Sequence, residues 1–154
     1  MGILVLAFSI GVVAGLRAMT APAAVSFGAA RGWLHLQGTW LAFLGFRWTP
    51  YIFIVLALVE LVTDQLPKTP SRKVPQQFGA RVLSGALCGA AIGASGNSWV
   101  VGLVLGAIGA VVGTLGGYEL RGRLARAVGS DRPIALVEDA IAIGAAIWIA
   151  ASVA

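Results

Sequence analysis

The chain has 154 residues, of which 58% are hydrophobic and only 11% charged, and its mean hydropathy is +0.90. A soluble domain carries roughly a quarter charged residues, so this composition argues against an ordinary soluble enzyme or binding module and predicts a polytopic membrane protein. The net charge of +5 does not predict nucleic-acid binding, because the basic residues gather mainly in two connectors between apolar runs, where they orient a membrane protein.

Ile3 to Leu16 is apolar and predicts a first span continuing to about Met19. It lacks a basic n-region and has Arg17 where a small-residue cleavage site belongs, so it is expected to be retained. Thr20-Ala21-Pro22 breaks the run, with Thr20 as a cap and Pro22 in the first turn of a short helix over 22–34. That helix is too short to cross a bilayer and is expected to be re-entrant or interfacial. Trp33, Trp40 and Trp48 follow, spaced as boundary aromatics are.

Pro50 to Leu66 reads as a full span carrying Glu60 and Asp64 one turn apart on one face. The connector Pro67 to Phe78 holds Lys68, Arg72 and Lys73, and its prolines Pro67, Pro70 and Pro75 predict that it is not helical. A third span is expected over 81–94, an uncharged turn over 95–98, and a fourth span over 99–117. A second basic connector carries Arg121, Arg123, Arg126 and Arg132, with Glu119 and Arg123 at i,i+4 spacing. The last span runs from Pro133 to about Ala151, with Asp131 as its cap.

The expected fold is therefore a single all-α integral membrane domain over 1–154, a compact bundle of about five transmembrane helices plus the short helix. The connectors 67–80 and 119–132 flank one hairpin and share a side, which the positive-inside rule makes cytoplasmic in a bacterial inner (plasma) membrane. Ala-Leu-Val-Glu occurs at 57–60 and again at 135–138, and related glycine-rich patterns precede each copy. This echo suggests inverted repeat halves over 3–66 and 99–153 joined by the span at 81–94, an arrangement typical of transporters.

Carboxylates in membrane helices are costly and normally face the protein interior, water or a partner. Glu60, Asp64, Glu138 and Asp139 form the acidic set, with Arg17 and Arg81 as candidate partners. They suggest a substrate or ion pathway; the alternative is that they pair only to lock helix packing. Glu60 stands roughly 15 Å along its helix from Pro50, near mid-membrane. Gly85, Gly89 and Gly93 form one stripe and Gly102, Gly106, Gly109, Gly113 and Gly117 another; such spacing lets backbones meet, within the bundle or across a homodimer. Cys88 has no partner cysteine, His35 stands alone, and no nucleophile–base pair, phosphate loop, dinucleotide fingerprint or metal-ligand cluster appears. No catalytic residue, cofactor or metal is expected. The expected partners are the lipid bilayer and a second copy, with anionic lipid head groups at the basic connectors.

Gly15-Leu-Arg17-Ala, Glu60-x-x-x-Asp64-Gln-Leu-Pro67, Arg81 with Ser84-Gly85-Ala86, and Ala135-Leu-Val-Glu138-Asp139-Ala together resemble a bacterial family of small integral membrane proteins known only as a domain of unknown function. The resemblance covers most of the chain, with Gln65 where that family more usually has Lys. It implies a helical inner-membrane protein and no particular activity. The residues themselves favour a small transporter, flippase or channel-like protein, then a structural or accessory protein, then an embedded enzyme.

Overall fold

The computed structural model describes residues 2–34, 36, 39–63, 75–96, 98–129 and 131–153. Among these residues there are helices and turns but no strand: α1 (Ile3–Leu16), α2 (Thr20–Ala30), a 3-10 turn (Ala42–Gly45), α3 (Thr49–Thr63), α4 (Pro75–Ser95), α5 (Trp99–Val128) and α6 (Asp131–Ser152). Two of them, α4 from Phe78 and α5, are long and apolar enough to cross a membrane. Helices α1 and α3 have apolar stretches that are shorter. Among the described residues, length and composition thus mark two candidate spans where about five were expected.

Several boundaries differ from expectation, each for a local reason. α1 stops at Leu16 rather than Met19, and Arg17 is already extended, with φ −143° and ψ 109°. α4 begins at Pro75, six residues before the expected start, because a proline in the first helical turn loses no hydrogen bond. α5 runs on to Val128, so most of the expected second connector is helix; its Leu, Arg, Glu and Ala residues favour helix. Gly129, with φ +84°, supplies the left-handed residue that ends it. Connector residues 67–74, Asp64, Gln65 and His35 lie outside the described residues.

Three helices make the tightest part. α4 and α5 form an antiparallel hairpin whose turn is closed by the Gly96 and Ser98 N–H groups donating to the Gly93 carbonyl, at 2.9 and 2.8 Å. Gly85, Gly89 and Gly93 face Gly102 and Gly106 across it so closely that a Cβ on any of them would strike the opposite backbone. α1 lies along the other side of α5, where Gly11 and Gly15 meet Gly106 and Ala110, and Gly109 and Gly113 meet the Phe8 and Val12 carbonyls. Both glycine stripes are therefore used inside this chain.

The remaining helices close around α2. Every residue from Thr20 to Ser26 is buried, so α2 has no exposed face over its first two turns and is covered by the rest of the chain. It ends in a Schellman motif: Gly32, at φ +83°, donates to the Ala29 carbonyl and Trp33 to that of Gly28. α3 and α6 pack against α2 from two sides. At one rim Trp40 stacks edge-on against Trp99 at 5.5 Å, tying the segment after α2 to the start of α5.

Candidate functional site: a polar cluster at a broken helix

A break between α1 and α2 strands the last carbonyls of one helix and the first N–H groups of the other. In an apolar core each unpaired group costs a few kcal/mol, roughly 1–3 by mutational data. The chain fills this break from four other helices. Arg81 on α4 donates from Nη1 to the Gly15 carbonyl at 2.9 Å, and Thr114 on α5 donates to the same oxygen at 3.3 Å. The Ser84 hydroxyl, one turn beyond Arg81, donates to the Ala18 carbonyl. From α3, Glu60 Oε1 accepts the Met19 N–H at 3.3 Å.

Helix dipoles explain the signs. The C-terminus of α1 carries partial negative charge and receives the Arg81 guanidinium; the N-terminus of α2 carries partial positive charge and receives the Glu60 carboxylate. Arg17 sits in the break itself. It is the largest fully buried side chain among the described residues, its backbone N–H donates to the Val13 carbonyl at 2.8 Å, and its guanidinium pairs with Asp139 on α6. One short stretch, residues 15–19, thus gathers groups from α3, α4, α5 and α6. Gly15 allows this crowding, since a Cβ there would strike the backbone of Ala110 and Thr114.

The expected site residues are brought together in part. Arg17, Glu60, Arg81 and Asp139 converge on the break. Glu138, one residue from Asp139 and so rotated roughly 100° away, faces Arg121 of α5 instead, with Nη1–Oε2 at 3.9 Å. Asp64 falls on residues not described. Thr20, expected to cap α2, makes no such bond: it is the first helical residue, Met19 is the cap, and its buried Oγ1 has no hydrogen-bond partner. The expected pair Glu119–Arg123 is present at 3.7 Å and exposed.

Sequence reasoning missed Ser84, Thr114 and Arg121 as participants. Ser84 carried a usable signal, standing three residues after Arg81 and so on the same helix face. Thr114 carried a weaker one, as the one hydroxyl in the apolar run of α5. Arg121 carried none, because it was read as part of a loop. The repeat halves expected from the Ala-Leu-Val-Glu echo have different elements here: the first contains the break, and the corresponding stretch of the second is one unbroken α5.

Beside the cluster, α2, α3 and α6 enclose an apolar groove of about 330 Å³ with Thr20 at one end. Among the described residues no group of histidine, cysteine or carboxylate side chains is arranged to hold a metal. A family model described as "Domain of unknown function (DUF4126)" matches residues 4–154. No curated protein and no solved structure matches the chain.

Proposed function

We propose, for a chain that belongs to the DUF4126 family of unknown function, that it is a small multi-pass membrane transporter or channel-like protein whose polar pathway passes the break between α1 and α2. The observation that carries this reading is the interruption between α1 and α2, with a half-buried carboxylate at the N-terminus of α2. Broken helices tolerated at membrane depth line a cavity or a binding site, and transporters use their half-helix ends to hold charge. On this reading the helices form a bundle of about five crossings in the cell membrane. Residues 67–80 and the arginine-bearing end of α5 face the cytoplasm, by the positive-inside rule, where anionic head groups can meet them.

Glu60 is the residue assigned to the pathway, with Arg17, Arg81 and Asp139 holding the break open around it. Glu60→Gln keeps an oxygen to accept the Met19 N–H and removes the titratable charge. Proteoliposomes of the wild type should dissipate an imposed pH gradient. The Glu60→Gln protein should not, while staying folded and melting only slightly below the wild type, since the carboxylate's interaction with the α2 dipole is lost. Unchanged flux through that variant would remove Glu60 from the pathway.

A second reading is a non-transporting accessory protein, and one observation favours it: each of the four charges at the break already has a hydrogen-bond or ion-pair partner. Ion pairs of this kind can specify a packing arrangement without carrying anything. It predicts no flux through the wild type, and a Glu60→Gln variant changed only in stability.

A further inference from the structure

α3 and α6 both lie against α2 but scarcely touch each other, and the gap between them is the groove of about 330 Å³. That volume is at the lower end of ligand pockets, roughly 300–1,000 Å³. Its floor is Ala23 and Ala24 of α2, and its walls are led by Ile54 and Leu58 of α3 and Ile143 and Ile147 of α6. These four wall residues are exposed, so the groove opens sideways out of the bundle. Small floor residues between bulky walls leave a slot suited to a hydrocarbon chain.

Among the described residues that line the slot none is charged, and the one polar side chain is Thr20. It is 5% exposed, and its Oγ1 has no hydrogen-bond partner among the described residues. A helical threonine ordinarily returns its hydroxyl to the carbonyl three or four residues back. Here that would be Arg17 or Leu16, and with Arg17 extended the break takes both away. Water is a poor substitute: it needs about two to four polar partners, and the lining side chains offer this hydroxyl alone. An unmet buried hydroxyl is costly, so the slot favours a ligand that brings its own hydrogen-bonding group.

Nothing at the break calls for that group to be ionic. Arg17 and Arg81 stand beside Asp139 and Glu60, charges that balance and are engaged with one another or with backbone. An ion in the slot would shed its water with no counter-charge in the lining, which a single hydrogen bond does not offset.

We infer that the groove binds a neutral lipid alcohol, its hydrocarbon chain in the slot and its hydroxyl bonded to Thr20 Oγ1. A hydroxyl both donates and accepts, so it can meet either need of the threonine. This goes beyond the function proposed above and shares only its premise that the chain lies in a bilayer, from which such a molecule enters sideways.

The test is to incubate the full chain in a non-ionic detergent with dodecanol, tridecane, dodecylammonium or dodecanoate. Excess probe is removed on a column, and what the protein retains is extracted and weighed against empty micelles. Dodecanol should be retained roughly fivefold better than tridecane, the return on one buried hydrogen bond, and better than either ion. Thr20→Val keeps the shape of the side chain and should bring dodecanol down to the level of tridecane. It should not lower the melting temperature of the unliganded protein, where that hydroxyl bonds nothing. Ala24→Leu on the floor and Leu58→Trp on the exposed rim should each lower retention of dodecanol and tridecane alike. Equal retention of alcohol and alkane, a preference for either ion, or a Thr20→Val protein that melts lower would overturn the head assignment. Unchanged retention in both groove variants would overturn the groove. Retention by a protein that dissipates no gradient supports the site and counts against transport alone; dissipation without retention overturns the site alone.

Discussion

The two sides of this molecule are packed by different means. Around α5, backbones touch: glycines on α1, α4 and α5 face one another with no room for a methyl group. Around α2, side chains keep the helices apart, and the gap between α3 and α6 is left as a groove. The first side is a rigid frame and the second has room for a guest. The polar cluster lies at their junction, since Arg81, Ser84 and Thr114 reach it from the frame and Glu60 and Asp139 from the looser side.

Cutting the link at that junction should have the largest effect. Asp139→Ala leaves the Arg17 guanidinium without its carboxylate inside the protein, and loss of one partner of a buried pair costs about 3–5 kcal/mol. Unfolding followed in denaturing detergent should show it. Replacing both partners with apolar residues (Arg17→Met with Asp139→Leu) should recover much of the loss, and a double variant no more stable than Asp139→Ala would show that the pair does more than neutralise itself.

The contrast between the sides is sharpened by adding one methyl to the frame. A Cβ at Gly106 meets the Gly85 carbonyl and the Gly89 Cα, so Gly106→Ala should cost about 1–3 kcal/mol of overpacking. Ala24→Leu adds more volume but into the groove, and should cost less than Gly106→Ala in the same assay. Equal losses would mean that the groove is as full as the seam. The smallest effect is expected at Gly144 on α6, where a Cβ meets nothing within 4 Å. Gly144→Ala should stabilise by up to about 1 kcal/mol, the helix preference of alanine over glycine. A loss there would show that a second copy covers this face.

Much of the frame was legible because its signal is periodic. Glycines at three- and four-residue spacing on two adjacent apolar runs predict close contact, and the contact falls where they stand. The cluster was legible only as a set of residue types. Arg17 and Asp139 are separated by 122 positions in sequence, and nothing local distinguishes that pairing from Arg17 with Glu138. Nor does sequence show that the arginines answer broken backbone as well as carboxylates, because that need arises only once α1 stops at Leu16. The connectors misled for a related reason: proline and arginine were read as loop formers, whereas Pro75 opens a helix and the arginines of 121–126 extend one.

That extension has a mechanical consequence. Thirty residues of unbroken helix measure about 45 Å, half as long again as a hydrocarbon core of roughly 30 Å. Its far end, where Leu120, Leu124 and Val128 are exposed, runs on past the glycine seam beside α6, whose Glu138 faces Arg121. Arg123 and Arg126 are then held at set intervals along a stiff rod, as a limp tether of the same composition would not hold them.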